Sequence, residues 1–271
     1  MEKQHNRGQD GAGFASVKLD TSPGEKYIYR ERSAGKQPIQ EIFSEINTKI
    51  YKEAKSKEKT NIPYLGQLML GHVRYGTFGK NNIESVHPFL RQNNWKHRNL
   101  IVAGNFNMTN NQELFDNLVK LGQHPKDKAD GITVMEKIGH FLDDAVSKIY
   151  RKLKKEGIGK IEASSLIEKK LNIAKILKKA SKDWDGGYAM AGLIGHGDAF
   201  FLRDPAGIRP AYYFKNDEVV VIASERPVIQ TVFNVGFEQV KELDPGKSII
   251  IKKSGDFSVE SVLTPTEKKA S

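Results

Sequence analysis

Short apolar runs fill the first and last thirds of the chain, while the middle carries longer stretches with apolar residues every three or four positions. The short runs, bounded by Gly, Pro, Asn and Asp, predict strands over residues 13–19, 26–32, 66–74, 99–105, 188–194, 198–203, 211–214, 218–224 and 248–253. Stretches 100–103 and 219–223 are nearly all apolar, the pattern of strands buried on both faces. Helical spacing predicts helices over 39–55, 111–121, 131–155, 163–182 and 226–232. In the third, Val134, Ile138, Phe141, Leu142, Ala145 and Ile149 form one apolar stripe that needs a sheet to cover it. Asn110 stands where it can cap the second helix, with Glu113 in the capping-box position. Strands and helices do not alternate as βαβ units do, so the expected class is α+β, with two antiparallel sheets packed together and helices outside them.

Composition narrows the function rather than the fold. With 271 residues, 38% hydrophobic and 28% charged, the chain is long enough for a substantial core, and disorder and collagen-like structure are excluded. No stretch reaches the roughly 18–20 apolar residues of a bilayer span, and the first thirty residues hold no signal-peptide run, so a soluble, cytoplasmic protein without a membrane partner is expected. The net charge of +10 (43 − 33) is concentrated in 52–59, 151–155 and 169–182, where Lys alternates with Leu and Ile at helical spacing. Solvated helix faces explain that pattern, and without an aromatic-rich basic strand no nucleic-acid partner is expected. The chain has no cysteine, which removes disulfides, thiolate metal sites and any thiol nucleophile; no metal site is expected.

Five segments combine Gly with Arg, Asn or Asp at strand ends, where backbone can approach a ligand closely: 4–13 (QHNRGQDGAG), 71–79 (GHVRYGTFG), 104–110 (GNFNMTN), 185–189 (DGGYA) and 203–210 (RDPAGIRP). Each alone is an ordinary turn signal. Together, in this order and followed by Ala223-Ser224-Glu225, they resemble the class II glutamine amidotransferase domain, most closely that of the amidophosphoribosyltransferase family. That family shows QHRGQDxAG, GHVRYSTTG, HNGNLTN, GAYA, RDPxGIRPL and ASE, and the resemblance runs from residue 4 to about residue 251.

The resemblance implies an Ntn-hydrolase-like αββα sandwich over 1–263, with 264–271 a polar linker or tail. It implies L-glutamine as ligand, with Arg74 pairing the α-carboxylate, Thr77 adding polar contacts to it, and Asp130 receiving the α-ammonium. A planar bidentate donor suits a carboxylate better than a lysine does. Asn105 matches one oxyanion donor; the second is the family's next backbone N–H, here that of Phe106 in place of glycine, where a Cβ and ring disfavour positive φ. Arg7 matches an arginine beside the nucleophile, with Asn6 an insertion, and Gly131-Ile132 replace the family's Thr/Ser-Glu after Asp130. His5, His72 and His87 are read as structural, and Asp204 and Arg209 as organisers of a turn and a domain contact.

The family's nucleophile is an N-terminal cysteine whose α-amine serves as its base. This chain has none, so it is expected to lack glutaminase activity alone. Two readings stand: a sequence truncated at an internal methionine, which the polar C-terminal stretch favours, or a domain that has lost catalysis and serves as a glutamine-binding or regulatory module. The family's phosphoribosyltransferase domain, its expected partner in the same chain, has no signature here, and Mg2+ is expected only there; no cofactor is expected in this chain. A homo-oligomer is expected.

Overall fold

The computed structural model describes residues 1–55, 61–76 and 82–266. Twelve strands and six α-helices are described: β1 (Gly11–Val17), β2 (Ile28–Ser33), α1 (Pro38–Ala54), β3 (Leu68–Arg74), β4 (Phe89–Arg91), β5 (Leu100–Met108), α2 (Asn111–Lys120), α3 (Asp130–Lys155), α4 (Lys160–Lys170), α5 (Ile173–Ala180), β6 (Gly186–Ile194), β7 (Ala199–Arg203), β8 (Tyr212–Lys215), β9 (Val220–Ala223), α6 (Arg226–Phe233), β10 (Lys241–Glu242), β11 (Lys247–Ile251) and β12 (Phe257–Ser261). All strand pairs are antiparallel, in a six-stranded sheet β12-β11-β7-β6-β5-β4, a three-stranded sheet β2-β1-β3 and a small third sheet β10-β8-β9.

Side-chain alternation sets the layers. Ala15, Val17, Ile28 and Leu70 of the three-stranded sheet pack on Ile101, Ala103, Leu193 and Ala199 of the six-stranded one. The residues between these, such as Leu100, Val102, Met190 and Leu202, face the other way and pack under Val134, Ile138, Leu142, Ile176 and Leu177 of α3 and α5. On the far side, Phe43, Ile46 and Ile50 of α1 cover Phe14, Tyr29 and Tyr64. The order α1, sheet, sheet, α3–α5 is the αββα sandwich. The fully apolar strand 100–103 is buried on both faces because both neighbouring layers are complete there.

The structure departs from the sequence expectations in five places. The apolar stretch 219–223 is not buried on both faces: Val219 is exposed and β9 is half-buried along its length, because it belongs to a small sheet outside the two main layers. A third sheet joins the two expected ones, packing Ala211, Tyr213 and Ile222 against Ala189, Phe201 and Ile249. The helix expected over 163–182 is two helices, because Asn172 breaks it and its side chain accepts from the Lys175 amide at 2.8 Å, opening a new first turn. Asn110 does not cap α2 with its side chain; that amide bonds instead to the Asp183 carbonyl at 2.8 Å and the Asp185 amide at 3.3 Å. Strands β4, β10 and β12 have no counterpart in the sequence reading, two of them being only three and two residues long.

Candidate functional site

The glycine-containing segments bond together in two groups, 4–13 with 71–79, and 104–110 with 185–189 and 203–210. Asp10, just before β1, donates its amide to the Arg74 carbonyl at 3.1 Å, and its carboxylate accepts the Gly76 amide at 2.7 Å. A Cβ at Gly8 would lie 2.7 Å from Arg74 backbone atoms, so only glycine permits this approach. Gln4 reaches across to donate to the Ser224 hydroxyl at 2.9 Å. Thr109 and Asn110, which follow β5, bond to Asp185 and Asp183, which precede β6. Gly186 has φ of +116° and a Cβ there would overlap the Asn107 carbonyl.

Asp204 closes the last segment. Fully buried, it accepts the amides of Ala206 at 3.1 Å and Ile208 at 2.9 Å on one oxygen and of Arg209 at 3.0 Å on the other. Arg203 beside it donates to the carbonyls of Arg209 and Gly207 and to Glu242. The Asp204 carboxylate and the Arg203 guanidinium are thus spent on the turn itself, while Arg209 Nε has no partner among the described residues.

The mouth of the sheet seam is built differently. Pairing of Arg74 with Gly11 and of Asn105 with Ala189 places both side chains on the two facing inner surfaces, beyond the apolar residues that fill the seam. Asn105 is exposed and Arg74 half-buried. Strand β4 pairs with β5 only from Arg91↔Leu100 to Phe89↔Val102, so β5 continues past it with one edge open. Along that edge the amides of alternate residues point outward. The Gly104 amide donates to His87 Nδ1 at 3.3 Å, and the Met108 amide donates to Asp130 Oδ2 at 3.0 Å. The Phe106 amide lies between them and faces the same opening.

Phe106 itself runs in extended strand opposite Tyr188, so no positive φ is needed, and its ring turns to the α3 side. Asp130 is the first residue of α3, and the Gly131 that follows is explained by packing: a Cβ there would overlap the Phe89 ring and lie 3.2 Å from His87 Nε2. His87 stacks 4.3 Å from His72 and from Phe89 between ring centroids. Burial, then the positive field of Arg74, pushes His72 down to about 4, with a contact to the Gly104 backbone opposing. Burial, followed by His72 and Arg74, drives His87 well below the ordinary imidazole value. Both rings are therefore neutral acceptors or donors near neutral pH.

Of the residues singled out in the sequence, Arg74, Asn105, Phe106 and Asp130 are drawn to this mouth by β3, β5 and α3. Thr77 lies outside the described residues. Arg7 sits in the short helical turn Glu2–Arg7, and its side chain is not among those described. His87, expected from the sequence to be a hydrogen-bonded structural residue, accepts the Gly104 amide just before the short strand β4. Two surface hollows, one under Lys148, Arg151 and Lys155 and one beside Gln9, Asp10 and Lys36, include none of the mouth residues. Among the described residues no three His, Asp or Glu side chains converge as metal ligands, and no helix is long and apolar enough to cross a membrane.

No family model matches the chain. By sequence it is similar to the amidophosphoribosyltransferases of Pasteurella multocida (27% identical over 260 residues), Archaeoglobus fulgidus (26% over 269) and Methanocaldococcus jannaschii (28% over 250). These alignments cover 94%, 98% and 92% of this chain but 42%, 46% and 42% of the relatives, so the chain spans less than half their length. By fold it is similar, with a TM-score of 0.63 in each case, to the glutamine phosphoribosylpyrophosphate amidotransferase from B. subtilis complexed with ADP and GMP (22% identity, 97% of this chain and 45% of that one) and to a structure described as the allosteric regulatory enzyme of purine biosynthesis (24% identity, 96% and 44%). The layered fold and the order of the segments are thus similar to those of amidophosphoribosyltransferases over nearly the whole of this chain.

Proposed function

We propose that the mouth between β3, β5 and α3 binds L-glutamine. The observation that carries this reading is the Phe106 amide, held facing the open edge of β5 between two neighbours that are already bonded. An amide N–H so placed suits a carbonyl oxygen that gains negative charge, and the Asn105 side-chain amide supplies a second donor from the same strand. Arg74 on the facing sheet offers a fork for the α-carboxylate, and the half-exposed Asp130 carboxylate offers a counter-charge to the α-ammonium.

Hydrolysis of the side-chain amide needs a nucleophile, and with no cysteine this chain binds glutamine without turning it over. In a protein that supplies the thiol, its sulfur adds to the amide carbon, ammonia leaves, and water then releases glutamate from the thioester. The ammonia would pass to a phosphoribosyltransferase domain making 5-phosphoribosylamine, in a cytoplasmic homo-oligomer. The absence of cysteine also favours a second reading, a glutamine-binding regulatory module; an intact gene encoding neither an upstream cysteine nor a phosphoribosyltransferase domain would select it.

Calorimetric titration with L-glutamine tests the site without the nucleophile. Saturable binding is expected, weakened about 10- to 100-fold in Arg74→Ala, as loss of a hydrogen bond to a charged group of roughly 1.5–3 kcal/mol implies. A folded chain that does not bind L-glutamine overturns the proposal.

A further inference from the structure

The segment Val86-His87-Pro88 threads between the two sheets, and all three of its carbonyls are turned to the β1–β2 side. The Val86 carbonyl accepts from Arg32 at 2.9 Å and the Pro88 carbonyl from Arg30 at 3.3 Å. The His87 carbonyl sits so close to Gly13 of β1 that a Cβ there would overlap it. Extending the β4–β5 register by two residues puts His87 opposite Gly104, the next amide of β5 that requires an acceptor. With the carbonyl turned away and Pro88 ending the ladder, the His87 ring supplies that acceptor through Nδ1. The same ring has its Nε2 against the first turn of α3 at Gly131 and its face against His72 of β3. One residue thus touches β1, β3, β5 and α3, the elements that carry or flank Arg74, Asn105, Phe106 and Asp130.

We infer that His87 is a positioning residue which, as the Nε2-protonated tautomer, takes the place of a strand partner for Gly104 and fixes the open edge of β5 so that the Phe106 amide points into the mouth. Asp130 holds the same edge two amides further on, at Met108. The Nε2–H tautomer follows from the bond itself, since Nδ1 accepts. Burial, the imidazole of His72 and the guanidinium groups of Arg74 and Arg32 oppose a second proton on the ring, and the Gly104 backbone favours one. The inference extends the glutamine reading, because it assigns His87 a part in aiming the donor for the substrate carbonyl.

The test uses the full 271-residue chain. In the wild type, 15N shifts of the His87 ring should show Nδ1 bare and Nε2 protonated at neutral pH; a protonated Nδ1 overturns the inference. His87→Leu, which cannot accept, should raise hydrogen exchange of the Gly104 amide about tenfold and weaken L-glutamine binding about tenfold, the worth of one hydrogen bond. His87→Asn, whose side chain offers an acceptor near the place of Nδ1, should restore both to within about threefold of wild type. Equal exchange in wild type and Leu variant, or an Asn variant no better than Leu, overturns the positioning role. If wild type binds no glutamine while the tautomer and the exchange behave as stated, the positioning of the β5 edge stands and the glutamine reading falls.

Discussion

Two aspartates, Asp204 in the last glycine-containing segment and Asp130 at the start of α3, have opposite surroundings. Asp204 is fully buried and spends both oxygens on three amides of its own turn, so a carboxylate that could carry charge to a ligand is consumed in holding backbone. Asp130 is half-exposed at the start of a helix and, among the described residues, accepts a single amide. The difference separates scaffold from site: a carboxylate whose acceptor capacity is filled internally stabilises the fold, and one held by a single bond is oriented yet still able to bind. The same contrast runs through the larger regions. The turn around Asp204 and Arg203 is closed on itself, whereas the mouth at β3, β5 and α3 has amides and side chains aimed outward.

The largest effect should come from emptying the closed region. Asp204→Ala leaves three part-buried amides without their acceptor and should cost about 3–5 kcal/mol in urea unfolding. A loss below about 1 kcal/mol would mean that the turn holds without its carboxylate. Next, Gly13→Ala drives a Cβ into the His87 carbonyl and should cost about 1–3 kcal/mol by overpacking, with a visible change in the Gly104 amide resonance. In the open region the balance reverses. Asp130→Ala should cost only about 1 kcal/mol of stability, the worth of the Met108 bond, yet reduce glutamine affinity by at least about tenfold in the same calorimetric titration. Equal losses of stability in the Asp130 and Asp204 variants would erase the contrast.

The smallest effect is the pH dependence. His72 at the mouth and buried His97 away from it are both held down to about 4, chiefly by burial. Their folded values lie below the ordinary 6.5, so the unfolded chain takes up protons first, and their contribution is complete above about pH 6.5 and lost as pH falls towards 4. Melting temperature should therefore decline through that window, and His97→Gln should flatten the decline without touching glutamine binding. A His97→Gln profile parallel to wild type would show that burial there exacts no protonation penalty.

Much of this was legible along the chain. Nine strands and the helices α1, α2, α3 and α6 follow from period-2 and helical patterns, because each element must bury one face and the pattern records which. The segments that build the mouth were legible for a related reason: glycines such as Gly8 and Gly186 stand where backbone meets backbone, and no other residue fits. Asn172 was not read as a helix break, since one cap inside an apolar, lysine-rich run has little weight against the periodicity around it. The short strands β4 and β10 leave too few residues for a period to appear.

The sequence by itself determined the α+β class with antiparallel sheets and the order of the segments, since each element's pattern records which face it buries, and the resemblance those segments carry singled out Arg74, Asn105 and Asp130 as candidates. Only the tertiary structure decided which aspartate is spent and which is available, because acceptor capacity depends on amides brought in by folding. It also decided the part of His87. A histidine before a proline is unremarkable until β4 stops two residues short of Gly104 and the ring becomes the acceptor that the strand no longer provides.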